Sequence, residues 1–112
     1  MNDIDTDLKL PISFKCGAIV GWFHVSPGLD LAKLTIHQDK IVLEVNWIFK
    51  IRKYELAKSE IVKVENNPSI FGTWEMKFKH DTNTVPRRIA VRLWDKDIEI
   101  SRKALLMAGY KL

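Results

Sequence analysis

Apolar and polar residues alternate with a period of two over most of this chain, the pattern of strands with one buried face. From Ile41 the odd positions are Ile41, Leu43, Val45, Trp47, Phe49 and Ile51, and the even ones include Val42, Glu44, Asn46, Ile48, Lys50 and Arg52. The odd set is therefore expected to face a core. A bulge near Lys53 would pass the inward face to Tyr54 and Leu56. In GTWEMKFKH, Trp74, Met76 and Phe78 share one face and Glu75, Lys77 and Lys79 the other. In VPRRIAVRLW, the same rule turns Ile89, Val91 and Leu93 inward and leaves Arg88, Ala90, Arg92 and Trp94 outside. Turn residues separate the runs: SPGLD (26–30), QDK (38–40), ENNPS (65–69) and HDTNT (80–84). QDK and HDTNT suit hairpins. The pattern predicts strands over 12–25, 31–37, 40–49, 50–56, 61–65, 73–80 and 86–94.

The period changes only near the C-terminus. DIEISRKALLMAG is rich in helix formers, with Asp95 or Asp97 available to cap its start and Gly109 placed to end it. At helical spacing Ile98, Ile100, Ala104, Leu105, Met107 and Ala108 form an apolar arc, while Arg102, Leu106 and Tyr110 line the remaining side. The expectation is a β body with one docked helix.

This order resembles the pleckstrin-homology-like (PH-like) superfold, and more closely the small bacterial PH-like domains. LAKLTIHQDKIVLEV as a hairpin, YELAKSEIVKVE as the turn between sheets and LLMAGYKL at the helix end carry the resemblance. Within YELAKSEI the family pattern falls on Leu56, Ser59, Glu60 and Ile61; Leu56 and Ile61 are expected to face the core while Ser59 and Glu60 turn. The resemblance implies a mainly β fold, a partly open barrel of two near-orthogonal antiparallel sheets of about seven strands, capped by one C-terminal helix. It also implies self-association, since bacterial PH-like domains are similar to one another in forming homo-oligomers. The whole of 1–112 reads as one such domain, with 1–11 a loosely ordered tail.

At 112 residues, 46% apolar and 29% charged, the chain has the composition of one folded domain. A net charge of +4 admits an anionic partner, although acidic residues are interleaved throughout. Cys16 is the single cysteine, so neither a disulfide framework nor a zinc cage of cysteines is expected. It lies in an apolar alternating segment, which makes a buried, inert thiol the default over a nucleophile. MNDIDTDLKL is acidic and polar, unlike the basic start of a signal peptide, and a cytoplasmic location is the expectation.

Reactive chemistry is sparse. His24, His37 and His80 are scattered with no metal-ligand spacing, and GAIVG lacks the pattern of a phosphate loop. We therefore expect no enzyme, no cofactor and no metal. The glycines of GAIVG instead suit a first strand that coils around a barrel. Lys50, Arg52, Lys53, Arg87 and Arg88 are candidates for an anion or lipid rim. Lys40 followed by Lys50-Ile51-Arg52 formally fits the phosphoinositide spacing of some eukaryotic PH domains, but no loop is expected between Lys40 and Lys50. Ile48, Trp94, Leu106 and Tyr110, apolar residues expected on polar faces, are candidate protein contacts. An open sheet edge, at Ile61–Glu65 or the first strand, would serve the same end. Protein or self is the leading partner, an anionic membrane surface the alternative; outward aromatics for base stacking are too few for nucleic acid.

Overall fold

The structure, a computed structural model, describes residues 9–25, 31–47, 50–69 and 72–112, apart from the side chains of Val25 and Trp47. The expected SPGLD turn, most of the N-terminal tail, Ile48 and Phe49 fall outside the described residues. The strands are β1 (Ile12–Val20), β2 (Phe23–Val25), β3 (Ala32–Ile36), β4 (Lys40–Trp47), β5 (Lys50–Ala57), β6 (Ile61–Pro68), β7 (Thr73–His80) and β8 (Ile89–Trp94). A 3-10 turn (Lys58–Glu60) precedes β6, and helix α1 (Asp95–Ala108) follows β8. All pairings are antiparallel, in the order β5-β4-β3-β1-β8-β7-β6, with β2 a short side branch on β1. Since β5 and β6 do not pair, the sheet stays open, as in a PH-like partly open barrel with one C-terminal helix.

The first strand makes this curvature. Ile12–Cys16 of β1 pairs with β3, and Gly17–Val20 pairs with β8. The change of partner falls at Gly17, where a missing side chain eases the bend. Residues 12–25 are nevertheless not one strand: Gly21 (φ 62) and Trp22 form a two-residue turn, and β2 folds back so that Val20 pairs with Phe23. The left-handed φ suits glycine, which has no Cβ to clash.

The rows of the barrel wall are read directly from register. Ile12, Ile36, Ile41 and Leu56 form one inward row, and Phe14, Leu34, Leu43 and Tyr54 the next. Trp74, Met76 and Phe78 supply the facing wall from β7 with Val91 and Leu93 from β8, and all pack into or against one core. Leu56 is buried and Ile61 packs against the core, with the turn at Lys58–Glu60 between them. Glu60 returns its carboxylate to the Ala57 N–H at 3.0 Å. Ala90 and Val42 do lie on outward rows, but both are buried, Ala90 between Ile19 and Lys77 and Val42 between Thr35 and Glu55.

Two expectations about β5 and β6 are corrected. β4 and β5 pair without interruption from Lys40↔Ala57 to Trp47↔Lys50, so no bulge occurs near Lys53. The inward parity changes between Trp47 and Lys50 instead, which places Lys50, Arg52, Tyr54 and Leu56 on the core side and turns Ile51 out, 66% exposed. In β6, Asn66 and Asn67 are not turn residues; they pair with Met76 and Glu75, and the strand runs to Pro68. An edge strand tolerates proline at its end. The turn follows instead, closing through Gly72 (φ 70).

Helix α1 buries Ile98, Ser101, Ala104, Leu105 and Ala108. Met107, expected on the buried arc, is exposed. The N-terminal boundary is Trp94 with no side-chain cap; the Asp95 carboxylate instead accepts the Trp74 indole N–H at 2.6 Å, and the Asp95 N–H reaches the Gly72 carbonyl. Asp95 and Asp97 still favour the first turn through the helix dipole. At the other end Gly109 (φ 86) reverses the chain. Its N–H bonds to Leu106 and that of Tyr110 to Leu105, the paired bonds of a Schellman ending.

Candidate functional site

The Gly21–Trp22 turn and the β7–β8 loop meet at one end of the half of the sheet formed by β2, β1, β8, β7 and β6. Because glycine takes the strained position of the turn, Trp22 is left at its tip with 90% of its surface exposed. The Gly21 N–H donates to the Arg88 carbonyl at 2.7 Å, and a side chain at Gly21 would touch Pro86. Trp22 is thus tied next to Arg87 and Arg88, both exposed and neither in an ion pair among the described residues.

The loop carrying these arginines is held from within. Val85 is buried in the core. The His80 ring accepts the Thr82 N–H at Nδ1 (3.3 Å), so Nε2 carries the proton donated to the Pro86 carbonyl at 2.9 Å. His80 is therefore occupied as a staple. Thr84 adds a bond from its N–H to the Thr82 hydroxyl. Strand β8 begins at Ile89 rather than at 86, because this stapled loop takes up the residues between. A broad open concavity beside it is lined by Lys77, Lys79, Arg87 and Arg88 together with Glu60 and Asp81. Lys79 is partly neutralised by Glu65 at 3.3 Å.

The remaining rim candidates do not form one patch. Lys50 and Arg52 lie on the core-side face of β5, while Lys53 lies on the outer face. There Lys53 stands 4.0 Å from Glu55, which also pairs with Lys40 at 3.4 Å; Lys33 pairs with Glu44 at 3.6 Å. Three of the four lysines on the outer face of β1 and β3–β5 (Lys33, Lys40 and Lys53, but not Lys15) are thus held near Glu44 or Glu55. All five rim candidates are exposed, but adjacency in sequence splits Lys53 from its two neighbours because strand side chains alternate.

The candidate protein contacts scatter as well. Leu106 is 59% exposed and has exposed Met107 beside it on the helix. Trp94 is half-buried at the start of α1, and Ile48 lies outside the described residues. Tyr110, expected outward, is 5% exposed. Gly109 ends the helical spacing on which that expectation rested, and the reversal carries the ring under the barrel. Its hydroxyl donates to the His37 carbonyl at 3.2 Å and the Lys58 ammonium lies 5.8 Å above its ring. Burial and the nearby Asp39 carboxylate push its pKa up.

Cys16 is fully buried, and burial raises its thiol from 9.0 to about 12, against a lowering hydrogen bond to the Leu34 backbone. Among the described residues no three His, Cys, Asp or Glu side chains converge as metal ligands do. No helix of the described residues is long and apolar enough to cross a membrane.

Trp22 is the residue that reading by alternation passes over. Its one signal is Gly21 between two apolar residues, a turn former inside an apparently continuous strand. Compared with models of known protein families the chain matches none, and a search of curated proteins returns no relative.

Proposed function

We propose that the chain is a non-catalytic binding module, akin to the small bacterial PH-like domains, that docks on anionic membrane surface at the cytoplasmic face. The observation carrying this reading is Trp22, fully presented on a rigid turn and bonded through Gly21 to the backbone of Arg88. An indole prefers the headgroup level of a bilayer, and each basic side chain near an anionic surface adds about 1 kcal/mol. Arg87, Arg88 and Lys77 supply such charges without carboxylate partners among the described residues. On the outer face of β3–β5 the lysines are held near Glu44 and Glu55, which leaves the Trp22 end the more attractive one. A buried thiol and an occupied His80 fit a binding role better than catalysis.

Vesicle co-sedimentation tests the reading. Wild type should pellet with phosphatidylserine-containing vesicles at low salt, detach at high salt, and ignore neutral phosphatidylcholine. Trp22→Ala should weaken binding by about tenfold, and Arg87→Glu/Arg88→Glu, which removes two such charges and adds two opposite ones, by more than about thirtyfold. Equal binding to neutral vesicles, or none to acidic ones at low salt, would overturn it.

A further inference from the structure

Strand β5 is a sheet edge with β4 as its sole strand neighbour among the described residues. The Lys58 N–H bonds to Asp39 across the ladder, so alternate residues back along β5 (Leu56, Tyr54, Arg52) also bond inward. The backbone groups of Ile51, Lys53 and Glu55 therefore point away from the sheet. Such an edge is a template for another strand.

We propose that two copies of this chain pair antiparallel through β5, about a two-fold axis passing at Tyr54. A two-fold axis normal to the sheet keeps each side chain on its own face, so only residues of equal parity can stand opposite each other. Centring on Arg52, Lys53 or Glu55 would set like charges against each other. Centring on Tyr54 sets Lys53 opposite Glu55 of the second copy, twice by symmetry. In that register Lys53 and Glu55 also exchange both of their outward backbone bonds. Ile51, 66% exposed in the single chain, then meets the small Ala57 of the second copy. Tyr54 stacks beside its own counterpart. The charges that discourage indiscriminate pairing of this edge thus favour this register over those centred on Arg52, Lys53 or Glu55.

The pairing rests on a single strand, so the dimer is weak and concentration-dependent. It is independent of the membrane reading, since none of these residues lies at the Trp22 tip. Light scattering after size exclusion, or sedimentation equilibrium, over about 1 µM to 1 mM should show a monomer–dimer equilibrium. Lys53→Glu and Glu55→Lys should each weaken it by about tenfold, and the double swap Lys53→Glu/Glu55→Lys should restore it. Circular dichroism checks that each variant is folded. A monomer throughout the range overturns the proposal, as does a dimer indifferent to both single variants. A dimer that the double swap fails to restore overturns the register.

Discussion

The Tyr110 hydroxyl donates to the carbonyl oxygen of His37 at 3.2 Å, joining the end of α1 to the β3–β4 hairpin. The same segment reaches across to the opposite sheet, where the Val64 N–H bonds to Lys111 at 2.8 Å. The final residues therefore close one end of the open barrel. Tyr110→Ala should lower the unfolding free energy by about 3 kcal/mol, the usual scale for emptying a buried aromatic site. Tyr110→Phe removes only the hydrogen bond and should cost about 1 kcal/mol. Urea denaturation followed by circular dichroism separates the two.

Gly109→Ala probes the helix ending. At φ 86 an alanine is strained, and its Cβ would come within 2.7 Å of the Lys58 ammonium nitrogen. The flexible end of Lys58 can swing away, so the remaining cost is that of the left-handed backbone, about 1 to 2 kcal/mol. Adding Lys58→Ala should not recover this loss in thermal melts; recovery would place the cost in the side-chain contact.

Stability should fall in alkali. The Cys16 thiol, raised by burial from 9.0 to about 12, and the Tyr110 phenol, raised by burial and by Asp39, are both neutral in the fold. Above their ordinary values the unfolded chain has lost these protons while the folded chain retains them. Their contribution is thus complete below pH 9 and is lost as pH rises towards 12, by at most about 1.4 kcal/mol per pH unit for each group. Denaturant midpoints measured from pH 7 to 11 check this, and Tyr110→Phe should flatten part of the decline. By the same burial, Cys16 should resist thiol reagents at pH 8 until the protein is unfolded.

Asn66 is a polar residue in an apolar row. Register sets it on the inward side beside Met76, in line with Val91 and Ala18, and its amide oxygen is buried without a hydrogen-bond partner. Asn66→Leu replaces that unpaired acceptor with apolar surface of similar size and should stabilise the fold by about 1 kcal/mol. A denaturant titration beside wild type gives the sign.

Alternation made the barrel legible because one buried face imposes a period of two. Trp74, Met76 and Phe78, or Ile89, Val91 and Leu93, could be assigned from spacing alone. What spacing could not give was the sites at which parity resets. Ile51 changes face because the chain has reversed between Trp47 and its partner Lys50, and a continuous alternation hides that reversal. Tyr110 changes surroundings because Gly109 reverses the chain, although the glycine itself was legible. Asn66 and Asn67 have turn chemistry but lie in β6 because pairing with β7 outweighs local preference. At the candidate site Arg87 and Arg88 were visible as exposed charges. Their meeting with Trp22 was not, since it depends on a hydrogen bond between residues 21 and 88.

One strand belongs to both sheets: β1 is bound to β3 up to Cys16 and to β8 from Gly17 onward. Neither sheet can therefore open across its full width without releasing a strand that the other needs. The two halves of the barrel are bound into a single cooperative unit. The amides around Cys16 and Gly17, where that shared strand changes partner, belong to the part of the molecule that opens only when all of it does.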